Sequence, residues 1–158
     1  MPRPVGPPIG LHLARAARVV SRAFDDSLGE AGGSLPVWLV LLNLKTRRIA
    51  NQRELAEAVG VREATLTHHL NAMEAEGLLT RRRDETNRRI HVVELTGAGE
   101  AAFLRLRGAA VAFDRRLRHG ITAEQVEVLE RVLDQLAANV GGKGDEFAPW
   151  AGLVETGP

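Results

Sequence analysis

The sequence of 158 residues contains no cysteine. This absence excludes disulfide bridges, thiolate zinc sites, iron–sulfur clusters and sensors that work by thiol oxidation. Long hydrophobic runs are missing as well, because the most apolar stretch, LPVWLVLLNL, has about half the length that a membrane-spanning helix needs. The N-terminal segment carries prolines where a secretory signal has an apolar run. We therefore expect a cytoplasmic protein without a membrane partner.

The composition is otherwise that of a folded domain, with 44% hydrophobic and 26% charged residues. The length suits one folded unit with a core of its own. The formal net charge is only +1, but its distribution is uneven. Residues 43–91 contain ten Lys or Arg and seven acids, whereas residues 92–158 contain seven and ten. A basic middle segment favours the binding of a polyanion.

Hydrophobic periodicity and capping residues predict a series of helices interrupted by one β-hairpin. The predicted helices lie at about 11–28, 34–44, 51–60, 62–76, 97–119 and 122–140. Between the fourth and fifth helices, LLTRRR and RRIHVVEL are expected to form two β segments joined by a loop of roughly four to six residues. A two-turn helix, a tight glycine-containing connection, a longer helix and a hairpin follow each other in the order of a winged helix.

The outward face of the fourth predicted helix carries short side chains. At about 100° per residue, Leu66, Leu70 and Met73 form its inner face. The residues that face outward or flank that face are Ala64, Thr65, Thr67, His68 and Asn71. A helix that enters the major groove needs small residues for approach and short donors or acceptors for base edges. The alternative is an ordinary solvent-exposed helix.

Three consecutive arginines lie on the first predicted strand. Because side chains alternate along a strand, Arg81 and Arg83 share one face and Arg82 lies on the other. The three cannot all reach the same DNA backbone, so we expect at least one to be a packing or ion-pair arginine. The alternative is that Asp84 and Glu85 simply neutralise the cluster.

Two further arginines, Arg88 and Arg89, lie at the tip of the predicted hairpin. A hairpin with this tip can place positive charge on phosphates and insert one guanidinium into the minor groove, where a narrow groove concentrates negative potential. The hairpin would then act as a second DNA contact beside the fourth helix.

The ordered set of these segments resembles the MarR family of winged-helix transcriptional regulators over roughly residues 11–140. The matching segments are LPVWLVLLNL, QRELAEAVGV, TLTHHLNAMEAEGLLTRR and DETNRRIHVVELTGAGE. The resemblance implies a homodimer held by the first and the last two helices, with a wing arginine in the minor groove. It also implies a small-molecule effector site between the dimerisation and DNA-binding lobes.

The expected fold is therefore mainly α with a small β-hairpin wing. The chain divides into a flexible arm at 1–10, a single domain at 11–140 and a tail at 141–158. Within the domain the winged helix-turn-helix covers about 35–95, and the dimerisation helices cover about 11–30 and 97–140. A near-heptad seam in the last helix suits a partner helix. Its members are Val126, Leu129, Leu133, Leu136 and Val140.

Two positions depart from the family's pattern. The family's wing carries an Asp-x-Arg pair, and here Asn87 takes the Asp position and Arg89 the arginine. Since Asn87 has no charge, Arg89 is either less firmly oriented or depends on Asp84. His68 stands where the family often has arginine, and its shorter reach predicts a different preferred base.

We therefore expect a sequence-specific regulator of double-stranded DNA, a repressor released by a small-molecule effector, that binds a pseudo-palindromic operator as a homodimer. The expected DNA-contacting residues are Ala64, Thr65, Thr67, His68, Asn71, Arg83, Asn87, Arg88 and Arg89. The alternative is a dimeric winged-helix adaptor whose fourth helix binds a protein.

An aromatic or anionic effector is expected in a crevice lined by Trp38 on the second helix and by His12 and Arg15 on the first. Packing of Trp38 in the core is the alternative. The five histidines lack metal-site spacing, and no nucleophile stands at a recognisable spacing from a base. We therefore expect no metal site, no cofactor and no catalytic activity.

Overall fold

The computed structural model describes residues 6–46 and 51–142, and within them the chain forms six helices and one two-stranded antiparallel sheet. In chain order these are α1 (Ile9–Glu30), α2 (Leu35–Thr46), α3 (Gln52–Val59), α4 (Glu63–Ala75), β1 (Leu79–Arg83), β2 (His91–Leu95), α5 (Gly97–Leu117) and α6 (Ala123–Asn139). The expected mainly α fold with a hairpin wing is confirmed. Residues 1–5 of the predicted arm and 143–158 of the predicted tail lie outside the described residues.

Helix α2 forms the centre of the core. Because it is apolar on nearly all sides, it can be buried on all of them, and it contacts α1, α3, α4, α5 and β2. Trp38, Leu41 and Leu42 are fully buried. The helix starts after Ser34, whose hydroxyl accepts a hydrogen bond from the Val37 amide at 3.4 Å. Helix α2 therefore joins the other elements of the winged helix-turn-helix to α1 and α5.

The helix-turn-helix forms as its capping residues predict. The Asn51 side chain accepts a hydrogen bond from the Arg53 amide at 2.9 Å and so starts α3. Gly60 ends α3 with φ of 76°, a left-handed conformation that glycine adopts without steric cost. The apolar face of α4 then turns towards α2 and α3, and its three large members, Leu66, Leu70 and Met73, are buried.

The hairpin pairs Leu79 with Leu95 and Arg83 with His91. The connection between its strands covers residues 84–90, which is longer than the expected loop of four to six residues. Arg88 and Arg89 therefore lie in the turn and not at the start of the second strand. The connection is longer than expected because two hydrogen bonds outside the strand pairing order it. The Asp84 amide donates to the Ile90 carbonyl and the Ile90 amide donates to the Asn87 carbonyl, both at 2.9 Å.

The last two helices begin at their predicted caps. The Thr96 hydroxyl accepts from the Gly99 amide at 3.1 Å, and Thr122 forms a reciprocal capping box with Gln125. Helix α6 contains no buried residue in the described single chain, although it carries the predicted apolar seam. Among the described helices, none combines the length and the apolarity that crossing a membrane would require.

The first turn of α5 lies against the base of the wing at Gly99. Gly99 is buried, and a Cβ atom there would overlap the carbonyl oxygen of Leu78. That carbonyl accepts a hydrogen bond from the Thr96 amide at 3.1 Å, so it cannot easily move away. We expect Gly99→Ala to destabilise the fold by about 2 to 3 kcal/mol through overpacking, measured by urea unfolding.

A matched control lies on the same helix. Gly108 is exposed, and among the described residues nothing lies within 4 Å of a Cβ added there. Gly108→Ala is expected to leave stability unchanged or to raise it by about 0.5 to 1 kcal/mol, because alanine favours a helix interior over glycine. Equal effects of the two substitutions would contradict the close contact at the wing base.

Candidate nucleic-acid interface

The outer face of α4 is exposed and made of short side chains. Ala64, Thr65, His68, Asn71 and Ala75 are all exposed, whereas the large apolar residues of the helix are buried. The structure thus places four of the five residues expected on this helix at the surface. The His68 and His69 rings meet edge to face, with centroids 5.9 Å apart. This face has the narrow profile that close approach to base edges requires.

Thr67, the fifth predicted residue, has a different environment. Its hydroxyl accepts a hydrogen bond from Gln52 Nε2 at 2.7 Å and donates to the Glu63 carbonyl at 2.9 Å. Since these two partners occupy the hydroxyl, Thr67 joins α3 to α4, and its expected contact with DNA loses its main basis. Gln52 was missed by the sequence reasoning, because fifteen residues separate it from Thr67 and no helical periodicity relates them.

Arg81 connects the wing to the recognition helix. Its guanidinium forms an ion pair with Glu74 of α4, with Nη2 2.7 Å from Oε2, and the same Nη2 donates to Asn71 Oδ1 at 2.5 Å. The Arg81 amide also donates to Glu74 Oε1 at 3.1 Å. The Arg81 hydrogen bonds to the Glu74 side chain are the main reason that the pKa of Glu74 lies below its ordinary value. The prediction that one strand arginine serves as an ion-pair residue is confirmed.

Arg82 is also paired, with its Nη2 3.1 Å from Glu94 Oε1 of β2. It lies on the opposite face of the strand from Arg81, as the alternation predicts. Both pairings were hidden from the sequence because they form between different elements. Arg83, Arg88 and Arg89 are the wing arginines without an ion-pair partner among the described residues.

The turn of the wing is built around the Asp84 carboxylate. Its Oδ1 accepts from the Thr86 amide at 2.8 Å, the Thr86 hydroxyl at 2.5 Å and the Asn87 amide at 2.8 Å. The bond from the Thr86 hydroxyl contributes most to lowering the pKa of Asp84. Asp84 therefore shapes the turn, and no ion pair between it and an arginine occurs in the described part of the chain.

Asn87 adds a local bond to this turn, since its Oδ1 accepts from the Arg89 backbone amide at 3.2 Å. The guanidinium groups of Arg83, Arg88 and Arg89 form no hydrogen bond or ion pair with any described residue. All three side chains are exposed. The alternative in which Asp84 and Glu85 neutralise the cluster is therefore wrong for these three arginines, whose charge faces solvent.

The expected effector crevice does not form from its three predicted residues. Trp38 is fully buried and stacks on Phe103 of α5 with centroids 5.7 Å apart, so the alternative of core packing is confirmed. His12 and Arg15 are exposed on the first half of α1, whereas Leu28, the residue where α1 is buried, lies roughly 24 Å further along the helix from His12. Because α2 is apolar on nearly all sides, its sequence does not show towards which neighbour Trp38 points. The predicted role of Trp38 in an effector crevice was therefore wrong.

A groove of about 400 Å³ lies instead between α1 and α5. Its lining residues are Ser27, Glu30, Ala31, Ala109, Ala112, Phe113 and Arg116. The Arg116 guanidinium carbon lies 5.2 Å from the centre of the Phe113 ring, and Arg116 Nη2 donates to the Ser27 hydroxyl at 3.4 Å. No local sequence pattern predicts this groove, because its two walls lie about 80 residues apart in the chain.

A family model described as the MarR family matches residues 34–91. The structure of AbsC, a MarR family transcriptional regulator from Streptomyces coelicolor, is 24% identical with a TM-score of 0.74, over 84% of this chain and 91% of that one. The transcriptional regulator PA3341 is 30% identical with a TM-score of 0.72, over 85% of this chain and 98% of that one. The chain belongs to the MarR family.

The part of this MarR-family chain that the family model matches runs from Ser34 to His91, and so includes α4 and the turn of the wing. A further similar structure is that of the transcriptional repressor CouR bound to a 23-mer DNA duplex. It is 26% identical with a TM-score of 0.71, over 82% of this chain and 92% of that chain. The MarR-type arrangement therefore extends beyond the matched segment to the long flanking helices.

Proposed function

We propose that this chain is a sequence-specific regulator that binds double-stranded DNA with α4 in the major groove and the wing in the flanking minor groove. The observation that carries the proposal is that the Arg81–Glu74 ion pair joins the exposed, short-side-chained face of α4 to the wing. Three exposed arginines of that wing form no ion pair with a described residue. Base edges in the major groove require short polar groups, and phosphates or a narrow minor groove attract guanidinium groups. The similar structure of CouR bound to a 23-mer DNA duplex supports double-stranded DNA as the ligand.

The regulator is proposed to act as a homodimer. Large apolar side chains that a monomer would leave in water are concentrated on the helices outside the winged unit. The exposed ones on these helices and on the linker between α5 and α6 are Ile9, Leu11, Leu13, Val19, Leu104, Val111, Leu117, Ile121, Val128, Leu129, Val132 and Leu133. Burial of such a surface between two copies is the physical driving force for association. A two-fold symmetric dimer then requires a pseudo-palindromic operator with half-sites about 10 base pairs apart.

We infer in addition that the regulator is a repressor released by a small molecule. The description of CouR as a transcriptional repressor supports the first part. The groove between α1 and α5 supports the second, because the exposed Arg116 guanidinium in its wall suits an anionic ligand. The groove takes the place of the His12, Arg15 and Trp38 crevice.

Selection of bound duplexes from a random pool tests the proposal. We expect recovery of pseudo-palindromic sites, and binding that weakens steeply as salt rises. His68→Ala is expected to cost about 1 to 3 kcal/mol at one or two base positions only, because His68 faces the bases. His69→Ala, on the same helix, is the control and is expected to change base preference less. Failure to bind any duplex at low salt would favour the protein-binding adaptor.

A further inference from the structure

The carboxamide of Asn71 is held in one orientation by the wing. Arg81 Nη2 donates to Asn71 Oδ1 at 2.5 Å and to Glu74 Oε2 at 2.7 Å, so one nitrogen joins the outer face of α4 to its C-terminal turn. A second donor, Arg81 Nε, bonds Glu74 Oε2 at 3.2 Å. The Arg81 side chain is only 18% exposed. The backbone amide of Arg81 also donates to Glu74 Oε1. The bonds to Glu74 therefore hold the Arg81 guanidinium in place independently of Asn71.

This arrangement decides which end of the Asn71 amide faces outward. A guanidinium group has hydrogen-bond donors and no acceptor, so only the amide oxygen can face it. The NH2 group is then directed away from Arg81, and it forms no hydrogen bond with any residue in the described ranges. Asn71 is exposed on the same face of α4 as Ala64 and His68. Its donor group thus stands on the surface proposed to enter the major groove.

A free asparagine would behave differently towards DNA. It reads adenine with both ends of its amide, because adenine presents the N7 acceptor beside the N6 donor. Arg81 holds the Asn71 oxygen towards the wing, so the amide cannot turn its donor and its acceptor to one adenine together. A donor placed on adenine N7 would then leave the neighbouring N6 amino group without a partner. Guanine presents two adjacent acceptors, N7 and O6, and thymine presents the O4 acceptor. These edges need only a donor.

We propose that Arg81 is a positioning residue that makes Asn71 a hydrogen-bond donor, so that at one base of each half-site the regulator selects guanine or thymine over adenine. The inference rests on the proposed DNA-binding function and adds the chemistry of one contact to it. It also gives the Glu74–Arg81 ion pair a role in specificity beyond its role in holding the wing to α4.

Substitution of Asn71 itself identifies the base. Asn71→Ala is expected to reduce discrimination against adenine at one position per half-site from about tenfold to about twofold. Asn71→Asp retains a partner for Arg81 but can only accept from the DNA. It is expected to shift the preference at that position towards adenine or cytosine, which present amino donors. Both are measured as relative affinities on a panel of single-base operator variants, which cancels the general effect of the added charge.

The role of Arg81 is tested by the double variant Glu74→Gln with Arg81→Met. It removes one charge of each sign, so net charge and salt dependence are expected to stay unchanged, while methionine retains much of the apolar stem. The Asn71 amide can then rotate, and discrimination against adenine is expected to fall to about twofold with the other positions unaffected. Circular dichroism and thermal unfolding show whether the variant is folded. If it is not, the Asn71→Asp result decides alone.

The outcomes separate the two proposals. Wild-type protein that binds no duplex would contradict the DNA-binding function itself. Wild-type binding with adenine preferred or tolerated at every position that Asn71→Ala affects would overturn the donor assignment only. The same conclusion would follow if Asn71→Ala affected no position. If the folded double variant kept the full wild-type discrimination, the positioning role of Arg81 would be overturned.

Discussion

Replacing Leu129 and Leu133 with glutamate is expected to convert the protein to a folded monomer that no longer binds its operator. These side chains are 51% and 37% exposed in the single chain and belong to the apolar seam of α6. Two carboxylates buried in a dimer interface would cost several kcal/mol, since the seam that would surround them is apolar. The winged unit itself should remain folded, because α6 contributes no buried residue to the described core.

The measurement is molar mass in solution together with DNA affinity. A mass of 17.1 kDa, that of one chain, is expected for the double variant. The affinity for a full operator is expected to fall at least 100-fold, because two linked half-sites bind with an avidity that one half-site lacks. Far-UV circular dichroism of the monomer should remain that of a helical protein.

A control variant adds the same two charges elsewhere on the helix. Ala123 and Ala138 are exposed and lie about 100° or more around α6 from the centre of the seam, and about 80° or more from Val128 and Val132. Ala123→Glu with Ala138→Glu should leave the dimer and its DNA binding intact. Loss of the dimer in the control, or a dimer in the seam variant, would show that α6 does not form the interface.

Replacing Arg88 and Arg89 with alanine is the second large expected effect. A dimer would lose four guanidinium groups, all of them in the exposed turn of the wing. We expect affinity at about 0.15 M salt to fall on the order of 100-fold, and the slope of log affinity against log salt to become shallower by roughly three to four. The ranking of operator variants should not change, since the α4 face that reads bases is intact.

The stability of the fold should be unaffected, because these guanidinium groups form no bond with the described residues. The double replacement of Arg115 and Arg118 by alanine is the control. It removes the same charge from exposed positions at the end of α5, and it should change the salt slope much less. An unchanged slope in the wing variant would mean that the wing does not contact phosphates.

Much of the fold follows from local sequence features. Asn51, Thr96 and Thr122 cap helices where their short polar side chains can satisfy first-turn amides, and Gly60 ends α3 where a left-handed residue is needed. The inner face of α4 follows from its apolar spacing. These features depend on residues within a few positions of each other, and local physical chemistry is sufficient to interpret them.

The roles of individual side chains could not be predicted from local sequence features in the same way. The sequence predicts that Thr67 contacts DNA, but its hydroxyl accepts a hydrogen bond from Gln52. Trp38 reads as a possible ligand contact, but Phe103 stacks on it in the core. In each case the deciding partner lies on another element, so only the packing of the elements could assign the role.

The sequence by itself determined the order of the helices and the hairpin, the outward face of α4 and the presence of five arginines in the wing region. The tertiary structure alone decided which of those arginines are available. Arg81 and Arg82 are paired with Glu74 and Glu94, whereas the other three form no ion pair with a described residue. The physical reason is that a hydrogen bond depends on distances of about 3 Å between side chains, and such distances between residues far apart in the chain are set by packing and leave no periodic trace in the sequence.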